Sequence, residues 1–571
     1  MLTERQILDI MNQELKNERS SFDSHWREIT DYVLPRRARF TVNDVNKGER
    51  KNQKIIDSTA TLAARTLRSG MMSGVTSPAR PWFRLSVQDP DLAQFKPVEE
   101  WLYSVSNRMT GIFLRTNLYN CLPVVYGDLG VIGTAAMCIE EDFDEVVRFY
   151  PFPIGSYCLA NDHRLKVNVF QREFRMTVRQ LVNKFGKLKN DGSGKPDWSV
   201  FSSQVRSLWE AGNYEAWVDV VHIVKPNPDY DSRRVGPMFK KYVSYYFEDA
   251  VMGGKLREDK FLRKAGYDYF PILAPRWEIS GEDVYGTSCP GMDALGDIKQ
   301  LQMGERRGAQ AIEKMVNPPM TGPSSLKNAK ASIAAGDITY VDARDTGSAF
   351  RPAHETNLRI DLLEGKQQQI RSRIQRSFYE DLFLMLATMD RANITATEIA
   401  ERKEEKLLAL GPVLEQLNQD LLDPLIDVTF DIMLKQGYVP EPPKELQGMD
   451  LKVEYVSVMA QAQKLVGIGS LERFAGFAGQ VAAVKPDIWD KVNVESIIDV
   501  YADMLSVPPT VLNDEEEVDA VRAERAQAAQ QQQQVEQLNQ VSQSAKNLAG
   551  APMNSDSALD AIIQEAQGGL A

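Results

Sequence analysis

The sequence predicts a mixed α+β fold, and three observations carry that reading. Apolar residues recur every three to four positions through long stretches at both ends and in the middle of the chain. Between about Val146 and Ile279 the texture changes to short β-branched and aromatic runs. A length of 571 residues exceeds what one hydrophobic core supports, so the chain has several domains or is an extended subunit of several parts.

Residues 3 to 34 read as the first helix, with Ile7, Ile10, Met11, Leu15, Phe22, Trp26, Ile29 and Val33 on a shared face and Pro35 ending it. A basic turn, PRRARF, follows. Asp57 to Met72 is built of good helix formers, with Leu62, Thr66 and Ser69 or Gly70 at spacings of three to four, and Gly74 and Pro78 break it. Trp82 and Phe83, between Arg80 and Arg84, then enter a buried or interfacial strand. Pro97 to Leu114 is a further amphipathic helix through Val98, Trp101, Leu102, Val105 and Met109, and Leu122 to Ala136 a buried one.

In the β block, EVVRFYPF, LKVNVFQREF, AWVDVVHIV, KYVSYYF and FPILAPRW read as strands, several of them separated by turn residues such as Asn161-Asp162 and Pro226-Asn227-Pro228. The expectation is mostly antiparallel sheet, with a helix near Arg179 to Phe185 and an exposed connection at Asp191 to Asp197. From Pro290, Met292, Leu295, Ile298, Leu301, Ile312 and Met315 trace one face of a helix that stops at Asn317-Pro318-Pro319; at about 1.5 Å per residue it spans nearly 40 Å. An insertion, Pro318 to Pro352, follows, whose DITYVDA piece can form a strand. A second long helix places Leu363, Ile370, Ile374, Phe378 and Leu382 on one face and Lys366, Arg371, Arg373 and Arg376 elsewhere. Two long helices bracketing a small insertion make a stalk with a head. Thr395 and Glu398 then have capping-box spacing at the start of a helix that kinks at Gly411-Pro412 and runs to about Gln436. LKVEYVSV reads as a strand and Ala460 to Tyr501 as short helices. Beyond Pro508-Pro509 an Ala, Gln and Glu-rich helical stretch loses order toward Ala571.

The formal charge of −12, from 67 basic and 79 acidic residues, disfavours a protein whose main task is to grip nucleic acid, since tight binders cluster Lys and Arg on phosphates. An acidic surface instead suits something DNA must slide past. Cys121, Cys138, Cys158 and Cys289 lack CxxC spacing and read as reduced, buried thiols. No run of about 18 apolar residues is free of charge: Leu122 to Ile139 carries Asp128 and three glycines, so no membrane span is expected. The first residues, MLTERQILDIMNQELKNERSSF, lack the apolar core and cleavage site of a secretory signal, and assembly in a cytoplasm is the expectation.

The usual catalytic patterns do not occur. The Gly-Lys pairs at Gly186, Gly194, Gly254 and Gly365 lack the Ser or Thr and the upstream glycine of a phosphate loop. His25, His163, His222 and His354 belong to no ligand motif and read as packing or surface residues. Ser73 and Ser288 lie among glycines without an identifiable base. Glu140-Glu141-Asp142 and Glu515-Glu516-Glu517 can in principle hold a divalent metal, but solvated charge runs are the commoner outcome. No catalytic, cofactor-binding or metal residue is assigned, and no enzyme activity or cofactor is expected.

Four blocks carry a resemblance. They are DSTATLAARTLRSGMMSGVTSPARPWFRL from Asp57 to Leu85, RFYPFPIGSYCLAND, GEDVYGTSCPGMDALGDIKQLQ from Gly281 to Gln302, and ATEIAERKEEKLLALGPVLEQL from Ala396 to Leu417. In this order they resemble the head-to-tail connector, or portal, proteins of short-tailed bacteriophages, over about residues 3 to 530. The resemblance implies the portal fold. Its parts are a wing from 1–285 and 398–507, stem helices at 286–317 and 356–387, a clip at 318–355, a tunnel loop at 388–397, and a crown and flexible tail at 508–571. It also implies a ring, usually of twelve subunits, at one capsid vertex, with a channel for double-stranded DNA. The implied partners are terminase, tail adaptor and tail proteins, and the major capsid and scaffolding proteins. On this placement the Asp57 to Leu85 block lies in the wing, away from DNA. Met389, Arg391, Asn393 and Ile394 are candidates for channel contact with DNA. Lys366, Arg371, Arg373 and Arg376 either face the channel or pair with acids on a neighbouring stem; pairing is favoured, because a strongly basic channel would hold DNA by counterion release. Another oligomeric virion protein, a tail adaptor or internal scaffold, is the alternative. A packaging ATPase or nuclease would need the phosphate loop or carboxylate cluster that is missing.

Overall fold

The computed structural model describes residues 2–42, 44, 48–89, 92, 95–186, 197–249, 260–318, 320–321, 351–352, 360–388, 410–446, 451–455, 474–481, 497–498 and 518–532, with 535 and 539. Thr3 starts the first helix, α1 (Glu4–Tyr32): its hydroxyl accepts the Gln6 N–H at 3.3 Å while the Gln6 side chain accepts the Thr3 N–H at 3.0 Å, a reciprocal capping box. The period expected from sequence is right, but the phase differs in the first half. Ile7 and Ile10 are each 47% exposed, and the buried stripe is Arg5, Leu8, Asn12, Leu15 and Arg19. The reason is the surface beneath. Arg5 donates to the Glu248 carbonyl at 2.9 Å and lies 3.6 Å over the Phe247 ring, Asn12 donates to Glu173 at 3.1 Å, and Arg19 donates to the Tyr157 carbonyl at 3.2 Å. This half therefore lies on strands that offer acceptors, whereas Trp26, Ile29 and Val33 enter the main core.

Helix α2 (Thr59–Val75) follows, then β1 (Phe83–Val87), α3 (Lys96–Arg115) and α4 (Leu118–Ile132). The face of α2 expected from Leu62 and Thr66 is the outer one, with Leu62 52% exposed; Ala60, Ala63, Ala64, Leu67, Gly70, Met71 and Gly74 are buried. Small side chains decide this orientation, because they let neighbouring backbones come close. Helix α4 is buried nearly all round and ends at Gly133 in the left-handed region at φ 84° rather than at Ala136, so Ala135 and Ala136 lead into the next strand.

The β block forms two antiparallel sheets. Strands β2 (Met137–Asp142) and β3 (Val146–Pro151) make a hairpin. After β4 (Tyr157–Asn161) and β5 (Val167–Thr177), helix α5 (Val178–Phe185) appears where expected, capped by Thr177, and α6 (Ser203–Glu210) precedes β6 (Trp217–Pro226), β7 (Tyr242–Glu248), β8 (Arg263–Tyr267) and β9 (Ile272–Leu273). Strand order is β4-β5-β6-β7-β8 in the five-stranded sheet and β3-β2-β9 in the three-stranded one. The connection expected at Asp191 to Asp197 lies outside the described residues apart from Asp197.

A single turn, α7 (Pro290–Asp293), leads into α8 (Leu295–Val316), which ends at Asn317 as the prolines require. Strands β10 (Met320–Thr321) and β11 (Arg351–Pro352) pair antiparallel, and 322–350, with the expected DITYVDA strand, lie outside the described residues. The second long helix is interrupted where sequence periodicity runs straight through. It forms α9 (Ile360–Ser377) and α10 (Glu380–Thr388), separated by Phe378 and Tyr379, the latter at φ 54°. The break turns the chain so that Phe378, Leu382 and Phe383 are all buried. Residues 410–417 are helical through Pro412; the irregularity falls later, in a π-helical turn, Asn418–Leu422, before α11 (Asp423–Lys435). Pro424 explains it, since its ring conflicts with the carbonyl four residues earlier and it has no N–H to donate. Asp420, within that turn, receives the buried Arg276 guanidinium at 2.9 and 3.1 Å. The capping pair Thr395 and Glu398 lies outside the described residues. Finally, β12 (Leu451–Tyr455) pairs antiparallel with β1, Leu85 opposite Val453.

The chain divides into two units, Met1–Leu505 and Ser506–Ala571; in the second, 518–532 are helical. No described helix is long and apolar enough to cross a membrane. The packing of α2 yields a paired prediction. A methyl at Gly70 would fall 2.1 Å from the Phe383 ring, so Gly70→Ala is expected to destabilise by about 1–3 kcal/mol through overpacking, lowering the melting temperature. Gly111→Ala, in α3 with nothing within 4 Å, should leave the melting temperature unchanged or raise it.

Candidate functional site: an anchored helical hairpin

Helices α8 and α9 lie antiparallel. Arg373 meets Asp297 at 2.8 Å near the first turn of α8, Gln367 passes Gly304, and Leu363 sits against Gly308, where an added Cβ would be 3.2 Å away. The two glycines bring the helices together at mid-length. Beyond the outer end of the hairpin, β10 and β11 draw the ends of the insertion side by side.

The hairpin's inner half is fixed to the segment that opens α2. Arg371 donates through Nε to Asp57 Oδ2 at 2.9 Å and through Nη2 to Glu305 Oε1 at 2.5 Å, so one guanidinium joins three elements. Gln302, buried, accepts the N–H groups of Ile56 at 2.6 Å and Asp57 at 2.9 Å and returns a bond to the Asp57 carbonyl at 2.7 Å. Asp57 also accepts the Thr59 N–H at 2.7 Å. Burial pushes the Asp57 carboxyl up, but the hydrogen bonds from Thr59 and Arg371 outweigh it and hold it below its ordinary value. A second tie, Lys299 to Glu28 at 2.5 Å, joins α8 to α1. Beneath, Ile298, Leu301, Ile370 and Ile374 are buried in the main core. The outer half differs: Ile312, Met315, Val316 and Leu362 are exposed, so the expected apolar face of α8 is only half covered within the chain.

Of the cations singled out in sequence, Arg371 and Arg373 take partners on their own chain, where a neighbouring stem was expected to supply them. The reason is proximity: Asp57, Asp297 and Glu305 already face them. Lys366 and Arg376 are exposed and carry no ion pair among the described residues. Met389, Arg391, Asn393 and Ile394 lie outside the described residues. Sequence reasoning missed Asp57, Gln302 and Glu305, although the first two fall inside the blocks that carry the resemblance, where polar residues between apolar ones were the available signal.

The remaining ionisable groups explain themselves by packing. His222 is buried, hydrogen bonded to Ser244 at 3.0 Å and stacked on Tyr246 at 3.9 Å, and burial first, then nearby cations, hold its pKa well below the usual value. His25 and His163 are exposed; His354 lies outside the described residues. The four cysteines are free and buried, with burial pushing Cys158 up to about 11 and Cys289 to about 12. Asp128 is buried and held by Arg37, whose Nε and Nη2 lie 2.7 to 2.8 Å from its oxygens. No cluster among the described residues has the composition of a metal site; Glu515, Glu516 and Glu517 lie outside them.

Arg371→Met should cost about 1–3 kcal/mol at neutral pH, the range for charged hydrogen bonds, read as a lower midpoint in urea. Because the folded-state value of Asp57 is depressed, its contribution is full above the unfolded value near 3.8 and is lost as pH falls through the folded one. The difference between the two proteins is therefore expected to shrink below about pH 4; a pH-independent difference would mean that Arg371 acts through packing alone.

Residues 5–512 match the family model of the bacteriophage head to tail connecting protein. The chain is 47% identical over 564 residues to a portal protein of Salmonella phage epsilon15, covering 99% of both chains. It is 44% identical over 520 residues to a probable portal protein of Bordetella phage BPP-1, covering 91% of each. A 160-residue stretch is 28% identical to a UDP-N-acetylmuramoyl-tripeptide--D-alanyl-D-alanine ligase of Bacillus subtilis; it spans 28% of this chain and 33% of that enzyme, too little to place the two together. With nearly its whole length matched in both sequence and family model, the chain belongs to the bacteriophage head to tail connecting protein family.

Proposed function

We propose that this chain is the subunit of a phage portal, a ring at one capsid vertex through which double-stranded DNA is packaged by a separate terminase motor and later leaves. One observation carries the reading: a two-helix strut, locked to the body by Arg371, Asp57, Glu305 and Gln302, supports an insertion whose ends are paired by β10 and β11. A strut of α8's 22 residues spans roughly 33 Å at about 1.5 Å per residue, a useful wall length for a channel. Its exposed Ile312, Met315 and Val316 suit burial against a neighbouring strut.

In this reading 1–285 and 398–507 are the wing, 286–317 and 356–387 the stem, 318–355 the clip that docks terminase and then the tail adaptor, 388–397 the tunnel loop, and 508–571 the crown. Twelve copies are proposed, with the major capsid and scaffolding proteins around them. The net charge of −12 favours passage over capture of DNA, and of the four stem cations singled out in sequence Lys366 and Arg376 are left to meet either a neighbour or the channel. Arg391 and Asn393 supply transient phosphate contact, and Met389 and Ile394 apolar lining.

Negative-stain images of the purified protein test the ring: closed rings with a central hole are expected, and rods, monomers or compact hexamers would overturn it. Arg391→Glu should leave rings intact while disturbing DNA retention or translocation, measured as packaged genome length per particle. Unchanged packaging and retention would remove Arg391 from the channel wall.

A further inference from the structure

The β2–β3 hairpin ends in a rigid, exposed knob. Phe143 is 91% exposed at its tip, in the sequence Glu141-Asp142-Phe143-Asp144-Glu145. Asp142 Oδ1 accepts the N–H groups of Asp144 at 2.8 Å and Glu145 at 3.2 Å, which closes the turn. Val146, a β-branched residue, follows at φ 73°, a conformation such residues rarely adopt, and its buried side chain holds it there. Gln436, just past α11, donates to Glu141 at 3.2 Å and braces the tip from behind. An exposed aromatic on a fixed turn, ringed by four acids, has no role in the core of its own chain.

A cleft of complementary character lies at the other end of the same strand. A cavity of about 330 Å³ has an apolar floor of Pro35, Ala38 and Phe40 and a rim that includes Arg27, Arg50, Lys51 and Lys54. Two acids share the rim: Asp31 is engaged by Lys54 at 2.7 Å, and Asp44 accepts the Phe40 N–H at 3.2 Å. Phe40 packs against Gly155, and the Arg39 N–H donates to the Ile154 carbonyl at 2.9 Å, so the cleft adjoins the residues that follow β3. Phe143 precedes β3. Six strand residues at about 3.3 Å each put knob and cleft roughly 20 Å apart.

We propose that Phe143 of one copy inserts into the cleft of the next, its acidic collar meeting the basic rim, and that this contact repeats around the ring. The proposal rests on the ring reading above. A cyclic assembly needs two different, complementary patches at separate places on each subunit, and an isologous dimer would need one patch facing itself. Acid tip and basic rim also repel their own kind, which disfavours tip-to-tip pairing.

Disulfide trapping in the full-length chain tests it. Phe143→Cys with Gln53→Cys, both at exposed positions, should give under mild oxidation a ladder of covalent oligomers on a non-reducing gel, while a mixture of the two single variants should stop at dimers. The native cysteines are buried and leave the background low. Asp144→Lys and Lys51→Glu should each raise the concentration needed for ring formation at least tenfold, and mixing the two single variants should restore it. Rings without trapping, or disulfide-linked dimers formed by the Phe143→Cys variant alone, would overturn the contact and leave the ring reading standing. Monomers from the unsubstituted protein would overturn both.

Discussion

The close approach of α2 to its neighbours is the constraint on which the rest of the first unit depends. At Gly70 the helix has no side chain because the Phe383 ring occupies that place; at Gly130 of α4 the place belongs to Leu67. Ala60, Ala63, Ala64 and Gly74 continue the same small-residue surface. Backbones held this near exclude water over the whole contact, and the polar groups that remain must be matched inside it. Thr76 and Tyr126 do so with a bond of 2.9 Å, and at the head of the helix Asp57 and Gln302 do so with the backbone. Helix α2 thus joins the buried α4 on one side and the end of the strut on the other.

That position changes what the Asp57 to Leu85 block means. The resemblance implies a place for it in the wing, away from DNA, with its helix and turn serving packing. In the structure its first residue receives Arg371 from α9, its helix packs on α10, and its strand pairs with β12. The block connects distant parts of the chain. Gly291 has a comparable role in another block: a Cβ there would lie 2.1 Å from the Val131 carbonyl, so the turn before α8 can seat against the end of α4.

What was legible and what was not follow from the kind of force involved. Periodic burial is local information, so α3, α5, α8 and the antiparallel strands stand where their apolar residues put them. Orientation depends on the partner surface, which is not local. Helix α1 turns Arg5, Asn12 and Arg19 inward because strands offer carbonyls and Glu173 there, and α2 turns its alanines inward because neighbours come close; hydrophobicity alone selects Ile7, Ile10 and Leu62 instead. The break at Tyr379 was hidden for the same reason: Phe378, Leu382 and Phe383 keep an apolar period across it, and only the position of α2 requires the bend. Of the candidate site, the strut and its cations were visible, but their acids were not, since Asp57 and Arg371 are brought together by the fold and not by spacing.

Charge balance links the anchoring to the wall the strut would form. A guanidinium aimed at a DNA channel would hold phosphate and release counterions, and each such contact steepens the dependence of binding on salt. Arg371 and Arg373 are neutralised within the chain, by Asp57, Glu305 and Asp297. The two Arg371 pairs are only partly exposed, so salt screens them less than it would a surface pair. The same charges therefore stiffen the base of the strut and, on the proposed channel reading, leave two fewer guanidinium groups free to hold a polyanion. Stiffening of the free subunit requires that the acids come from within it: a pair formed only across a neighbour would leave Arg371 and Arg373 without their carboxylates until the proposed ring had closed.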